Sequence, residues 1–353
     1  MIRAAVFDGP GKRFHVEQLS TPQLSAGEAL VRVRLCTLCG SDLHTFTGRR
    51  HGPTPCVLGH EMVGEIAELH GEKLDAAGEP LAVGDRVTRA VIDCCGACFF
   101  CTHDLPQKCD RLKKYGHHAH EPGRGPSGGL ATHCQLWAGT AVVKVPAAVS
   151  DEVAAPAMCA TATVAGALRQ AGGLRGTTVL ILGAGMLGLT ASAMASAGGA
   201  TVIVADTNAE RLATAKRFGA TRIATTGELA ARLADLTDGR GADVVLELAG
   251  VSASVETALA SARIGGTVVL VGSVFPVPSV AVNPEMLVRR CLRIVGSHNY
   301  TPADLVAAMR FLAGSGTGFP FAELVARTLP LDDVNEAFRR AEAEKPYRIG
   351  VRP

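Results

Sequence analysis

Thirty consecutive residues, 176–205, carry no charged side chain, yet glycines interrupt them at Gly183, Gly185, Gly188, Gly198 and Gly199. About 20 apolar residues suffice to cross a bilayer, so length alone permits a membrane span. The glycines and β-branched ends argue instead for strand, tight turn, helix and second strand, buried on both faces. The following sequence repeats that alternation. Strands are expected at 178–182, 201–205, 221–224, 243–248, 267–271 and 292–295, with helices at 186–197, 209–218, 229–236, 253–262 and 284–290 between them. Buried strands alternating with helices specify an α/β fold with a doubly wound parallel sheet, here of six strands. Before it, 153–171 reads as one apolar helix. After it, helices are expected at 302–313 and 331–344, the second with Asp332 or Asp333 as N-cap and Pro346 past its end.

Inside the uncharged run, Gly183-Ala184-Gly185-Met186-Leu187-Gly188 fits G-x-G-x-x-G between a strand and a helix. The first glycine makes the turn, the second admits a pyrophosphate to the backbone, and the third lets helix and strand pack. The free N–H groups of the helix N-terminus then face the phosphates. Asp206 lies 18 residues past Gly188, where a carboxylate accepts ribose hydroxyls and repels a 2′-phosphate. NAD is therefore expected rather than NADP. Arg211 is a candidate to lie over the adenosine.

The first 150 residues differ in texture. Alternation at 29–35, 62–69 and 86–92 predicts half-buried strands, whereas 93–128 is dense in Cys, His, Gly and Pro and has little apolar periodicity. Eleven cysteines in a chain whose start lacks a signal-peptide pattern suggest reduced thiols and metal ligands, with a soluble, cytoplasmic protein expected. A formal charge of +2 gives no sign of a nucleic-acid partner.

Cys95-x2-Cys98-x2-Cys101-x7-Cys109 places four thiols within 15 residues, a set suited to a closed structural Zn²⁺ site. Iron–sulfur runs close with a shorter last gap and a proline. Cys94 competes for the first position, but Cys95 keeps the two-residue knuckle. A second set is dispersed: Cys39-Gly40-Ser41-Asp42-Leu43-His44, then Gly59-His60-Glu61, then Cys159. Two thiolates and an imidazole with an open fourth position make a catalytic zinc site, although spacing alone does not join these segments.

These motifs, with Gly84-Asp85-Arg86-Val87, occur in an order that resembles the zinc-dependent medium-chain dehydrogenases, the alcohol, sorbitol and threonine dehydrogenases. The text around Cys98–Cys101 and Leu105-Pro106-Gln107-Lys108-Cys109 is similar to the alcohol dehydrogenases associated with phosphonate metabolism. The resemblance implies a GroES-like β-rich catalytic domain from 1–160 and 296–353, with its zinc lobe at about 93–112, and a Rossmann domain from 161–295. Zinc and nicotinamide then meet in the cleft between them. It further implies that Cys39, His60 and Cys159 ligate a catalytic zinc and that Glu61 swings in as a fourth ligand. Asp42 orients His60, Thr163 and Val271 contact the nicotinamide, and Arg348 pairs with the pyrophosphate. Gly40 stands where animal alcohol dehydrogenases place a basic residue, which is closer to the polyol and threonine branch.

The implied chemistry is hydride transfer from an alcohol to NAD, with zinc as Lewis acid. Ser41 passes the alcohol's proton through the cofactor ribose to His44. Val91 is expected beneath the nicotinamide. Arg49-Arg50-His51 and Lys113-Lys114 with His117 and His118 offer a basic rim for a small anionic, phosphonate-type alcohol, the alternative being a neutral polyol or threonine. A non-catalytic NAD- and zinc-binding sensor is the competing class. A homodimer or homotetramer is expected, joined at the sheet edge 292–295.

Overall fold

The computed structural model describes residues 1–353, which form two compact units. The first comprises Met1–Cys159, Thr301–Ala313 and Phe321–Pro353; the second comprises Ala160–Tyr300 and Gly314–Pro320.

In the second unit all six expected strands are present and parallel. Their order is Arg222–Ala224, Thr201–Ala205, Thr178–Leu182, Ala242–Glu247, Ala262–Leu270 and Arg293–Gly296. Chain progression reverses between Thr178–Leu182 and Ala242–Glu247, the place where open α/β sheets bind ligands at their carboxyl ends. Val179–Ile181 and Val202–Val204 are fully buried, which explains their uninterrupted apolar text. The uncharged run is therefore strand, helix Met186–Ala197 and strand, and no helix is long and apolar enough to cross a membrane. Arg293–Gly296 leaves one edge of the sheet open, near exposed Val288 and Ile294.

The first unit is built on a sheet running Val325–Pro330, Arg348–Arg352, Ala29–Thr37, Glu61–Leu69, Arg86–Asp93 and Lys113–Lys114. The three strands expected early in the chain extend one or two residues beyond their apolar alternation. The tail, expected to be helical, also supplies the strands Val325–Pro330 and Arg348–Arg352. Phe338, on the C-terminal helix Val334–Glu344, packs 4.6 Å from Phe14 and 5.0 Å from Phe46, tying the chain end to the N-terminal core. Asp333 occupies that helix's N-cap position without a side-chain cap bond, and Asp332 instead pairs with Arg3.

One expected helix is interrupted. The segment 153–171 divides into Asp151–Pro156, a π-turn at Ala157–Thr161, and Ala162–Ala171. Pro156 has no N–H to donate and its ring opposes the carbonyl four residues back, so the regular ladder breaks there. Cys159 lies within the π-turn, whose extra residue changes the face a side chain presents.

Candidate active site and metal centres

The strand Ala29–Thr37 organises the dispersed set. Cys39 stands two residues past its end and opens the helix Gly40–Phe46. Along one edge the strand pairs with Glu61–Leu69, Thr37 opposite Glu61, which brings His60 and Glu61 beside Cys39. Along the other it pairs with Arg348–Arg352, Gly350 opposite Thr37, which delivers Arg348. With Cys159 on its π-turn, the ligating atoms of Cys39, His60, Glu61 and Cys159 all lie within 4.8 Å of one another.

Fully buried Asp42 fixes three parts of this set. Its Oδ2 accepts the Cys39 N–H at 2.9 Å, and its Oδ1 accepts the Gly59 N–H at 3.3 Å and lies 3.1 Å from His60 Nδ1. With Nδ1 engaged by Asp42, the lone pair of His60 Nε2 is left for a metal. Ser41 Oγ is 3.4 Å from that Nε2. Asp42, not Ser41, satisfies the Cys39 N–H at the helix start.

The charges show that a cation suits this set. A hydrogen bond with Cys159 holds the Cys39 thiol well below its usual range, and the same bond with burial pushes Cys159 up, so the two sulfurs share a proton. Burial opposes a charged His60, yet the Asp42 carboxylate and the Cys39 thiolate raise it to about 10. The sulfurs of Cys39 and Cys159 and the His60 imidazole thus hold protons that a Zn²⁺ ion would displace, leaving the two thiolates and neutral imidazole that such a site requires.

Glu61 is already committed. Arg348 Nε and Nη2 donate to its two oxygens at 2.7 and 2.6 Å, and Thr37 Oγ1 donates at 2.6 Å. Burial raises the Glu61 carboxyl to about 7 against the pull of Arg348. Arg348 Nη1 donates to the Tyr347 carbonyl at 2.8 Å, and Nη2 lies 3.6 Å from Cys39 Sγ. Strand pairing thus puts the Arg348 guanidinium against Glu61, beside the metal set. Neither Thr37 nor this Arg348–Glu61 pair carries a local sequence signal, because the partners are 287 residues apart.

Cys95, Cys98, Cys101 and Cys109 form a second group whose sulfurs lie within 4.8 Å of one another; Cys94 is outside it. Backbone N–H groups of Cys95 and Arg111 each reach Cys109 Sγ at 3.3 Å. Backbone N–H groups of Ala97 and Cys98 pull the Cys95 thiol down to about 6. Thiolates stabilised by amide donors fit a closed Zn²⁺ site.

In the second unit, Gly183 turns at φ +104°, and a Cβ on Gly188 would fall 1.8 Å from the Gly183 carbonyl oxygen. A Cβ on Gly185 would meet nothing within 4 Å, so that position faces open space. Met186 and Leu187 begin the helix. Asp206 Oδ2 accepts the Ala184 N–H at 2.6 Å and Oδ1 the Asn208 N–H at 2.8 Å, which seats the carboxylate against the loop. Arg211 lies in the first turn of Ala209–Arg217, and Thr163 lies on Ala162–Ala171. Val271 is buried and donates to the Glu247 carbonyl at 3.0 Å. Unforeseen from sequence is buried Glu247 itself, whose Oε1 accepts from Ala249 N, Gly250 N and Ser254 Oγ at the sheet's reversal point.

The basic clusters separate. Arg49 and His51 are exposed, Lys113 lies 5.2 Å over the Trp137 ring, and His118 pairs with Glu121 at 3.0 Å. Arg50, Lys114 and His117 turn inward, with His117 5.6 Å from His60 between ring centres. His44 is pushed down by burial and by Arg49. Val91 is buried, and its carbonyl accepts the Tyr115 N–H at 3.0 Å.

Residues 25–147 match the alcohol dehydrogenase GroES-like domain, and residues 187–314 match the zinc-binding dehydrogenase family. An alcohol dehydrogenase of Geobacillus stearothermophilus is 32% identical over 96% of both chains. The D-arabitol-phosphate dehydrogenase of Enterococcus avium is 31% identical over 94% of this chain and 92% of its own. An alcohol dehydrogenase structure from Thermotoga maritima superposes with a TM-score of 0.92 at 29% identity, covering 100% of this chain and 99% of the other.

Proposed function

The chain belongs to the zinc-binding alcohol dehydrogenase family, oxidoreductases acting on CH–OH groups, and from that premise we propose that it oxidises a small anionic alcohol with NAD, in a reversible reaction. The observation that carries the reading is the convergence of Cys39, His60 and Cys159 beside Ser41. These three residues hold the catalytic zinc, and Cys95, Cys98, Cys101 and Cys109 hold the structural one. Bound at these positions, zinc supplies Lewis acidity toward the alcohol oxygen and NAD supplies the hydride acceptor.

The remaining work belongs to the chain. Asp42 keeps His60 in the tautomer that leaves Nε2 free for metal. The Ser41 hydroxyl would relay the alcohol's proton, giving up its own as Oγ accepts the new one, and His44, on the same short helix, would take up the outgoing proton and release it to solvent. Arg348 and Thr37 hold Glu61 behind the ligand set, so Glu61 approaches as a ligand only when those bonds loosen. Gly185 and Gly188 shape the pyrophosphate loop. Asp206 selects NAD, with Thr163, Val271 and Arg211 completing the dinucleotide site. Self-association through the open edge Arg293–Gly296, where Ile294 is exposed, fits a second copy of the chain.

An anionic substrate of phosphonate or phosphate type is favoured by the inward cations and by the relative named for a sugar-alcohol phosphate. Neutral polyols are the second reading, favoured by Gly40 in place of a basic residue. Metal analysis paired with an NADH-forming screen tests the proposal. Two zincs per chain and turnover of phosphate- or phosphonate-bearing alcohols are expected. Two zincs with preference for neutral polyols would remove the anionic reading, and absence of NADH formation with every alcohol would remove the catalytic one.

A further inference from the structure

We propose that Arg50, Lys114 and His117 form one anion-binding subsite beside the catalytic metal set, and that it takes a tetrahedral dianion, a phosphate or phosphonate carried by the alcohol. The inference rests on the dehydrogenase reading above and assigns its specificity to named side chains.

Three observations support it. The segment carrying Lys114 and His117 is pressed onto the metal set: a Cβ on Gly116 would fall 2.8 Å from the His60 backbone nitrogen. The short strand Lys113–Lys114 is paired to Ile92 and Asp93, so the segment's course is fixed by the sheet. Tyr115, fully buried, anchors it from below by donating and accepting at Thr140 Oγ1 (2.6 Å) and Trp137 N (2.8 Å).

Next, His117 orients Arg50. Arg50 Nη1 donates to His117 Nε2 at 3.2 Å, which requires the His117 proton on Nδ1. That proton points to Thr45 Oγ1 at 3.4 Å, and the Thr45 hydroxyl donates onward to the Ser41 carbonyl at 3.1 Å. The chain from Ser41 through Thr45 and His117 therefore holds the guanidinium with its other donors uncommitted.

Finally, the cations lack counter-ions. The Lys114 carbonyl accepts the His117 N–H at 3.2 Å, while the Lys114 ammonium has no ion-pair partner and Arg50 has His117 as its one side-chain partner. The nearby Asp42 carboxylate is not available to them, because its oxygens are taken by His60, Cys39 N and Gly59 N. Once the thiolates are shared with a divalent cation, two half-buried positive charges remain without a matching anion. Burying charge unpaired is costly. A dianion satisfies both, with the planar guanidinium fork matching two of its oxygens and the ammonium acting as a point charge.

The test uses the zinc-loaded, full-length enzyme and two readouts. Steady-state kinetics compare primary alcohols of one chain length ending in phosphonate, phosphate, carboxylate or hydroxymethyl. Calorimetry measures inorganic phosphate binding without turnover. Lys114→Gln and Arg50→Gln should each lower the ratio of kcat/KM for the phosphonate over the hydroxymethyl alcohol by roughly 100-fold, the scale expected for losing one partner of a half-buried charge pair. Each should weaken phosphate binding about tenfold or more, with partial recovery in Lys114→Arg. Lys113→Gln, on the Trp137 ring, should leave phosphate affinity at the wild-type value. Wild-type phosphate affinity in both the Lys114 and Arg50 variants, or a carboxylate or hydroxymethyl preference in the wild type, overturns the subsite while leaving the dehydrogenase intact. Weakened phosphate binding in an enzyme that oxidises no alcohol keeps the subsite and overturns the dehydrogenase reading.

Discussion

The two cysteine sets are assembled in opposite ways. Cys95, Cys98, Cys101 and Cys109 are gathered by a local chain of 15 residues containing only the short helix Phe99–Thr102 and a 3₁₀ turn. Its sulfurs are held by backbone N–H groups, and the lobe supplies few buried side chains of its own. Cys39, His60 and Cys159 come from a helix start, the residue before a neighbouring strand and a π-turn, and they rest on fully buried Asp42, Glu61, Met158 and Ala160. This difference predicts that metal binding is part of folding in the first set, and that in the second folding precedes metal binding and the metal serves the proposed chemistry.

That contrast is broken most severely at the dispersed site. His60→Ala or Cys159→Ser should reduce zinc from two to one per chain and lower kcat/KM by roughly a thousandfold or more, because the Lewis acid supplies several kcal/mol. Thermal melting should move only a few degrees, since the strands around the site have their own core. Retained turnover with one zinc missing would mean that the dispersed set is not the reacting centre.

The reverse pattern is expected from Cys98→Ser. Zinc again falls to one per chain, but the lobe opens and protease cuts within 94–112, while the remaining zinc stays with Cys39, His60 and Cys159. Limited proteolysis with metal analysis reads both effects. A lobe that resists protease without its metal would show that packing, not zinc, holds it.

The glycine loop lets the same distinction be drawn within a single motif. Gly188→Ala puts a methyl 1.8 Å from the Gly183 oxygen, and the forced shift should cost about 1–3 kcal/mol, read as a lower melting temperature. Gly185→Ala meets no protein atom within 4 Å. Its melting temperature should therefore hold while the affinity for NADH falls roughly tenfold, because the methyl occupies the space a pyrophosphate approaches. Equal stability losses would mean that both glycines serve packing alone.

Which of these features the sequence discloses follows from how far apart the contacting residues lie. The lobe and the loop are contiguous, so spacing identifies them. The six-stranded sheet is legible because strands such as Thr178–Leu182 and Thr201–Ala205 are buried on both faces and read as unbroken apolar runs. The ligand set Cys39, His60 and Cys159 was recognisable only by resemblance, since no local rule links its members. The π-turn at Ala157–Thr161 was hidden because its residues, including Ala157, Ala160 and Ala162, satisfy an apolar helix pattern, and Pro156 reads equally well as a helix end. The strand Arg348–Arg352 escaped notice for a different reason. It is only five residues long with a central glycine, and of its two pairing partners one, Ala29–Thr37, lies more than 300 residues earlier. The Arg348–Glu61 pair depends on that strand, and through it Glu61 is bonded at both oxygens.

The smallest effect compares thiols within the metal-free protein. Backbone N–H groups lower Cys95 to about 6 while the lobe is folded, and once chelation opens the lobe those donors are lost and the thiol returns to the ordinary range of an accessible cysteine. Burial pushes Cys36 and Cys134 up, and both remain protonated thiols throughout that range. Brief treatment with iodoacetamide followed by peptide mapping should therefore modify Cys95 several-fold faster at pH 8 than at pH 7, as an ordinary accessible thiol does, with Cys36 and Cys134 spared at both; a Cys95 rate that levels off above pH 6 would show that the lobe keeps its amide donors without metal. Rapid modification of Cys36 or Cys134 would show that the β-rich unit opens when metal leaves. The assignment of metal-dependent folding to the lobe alone would then have to be extended to the strands beneath the dispersed site.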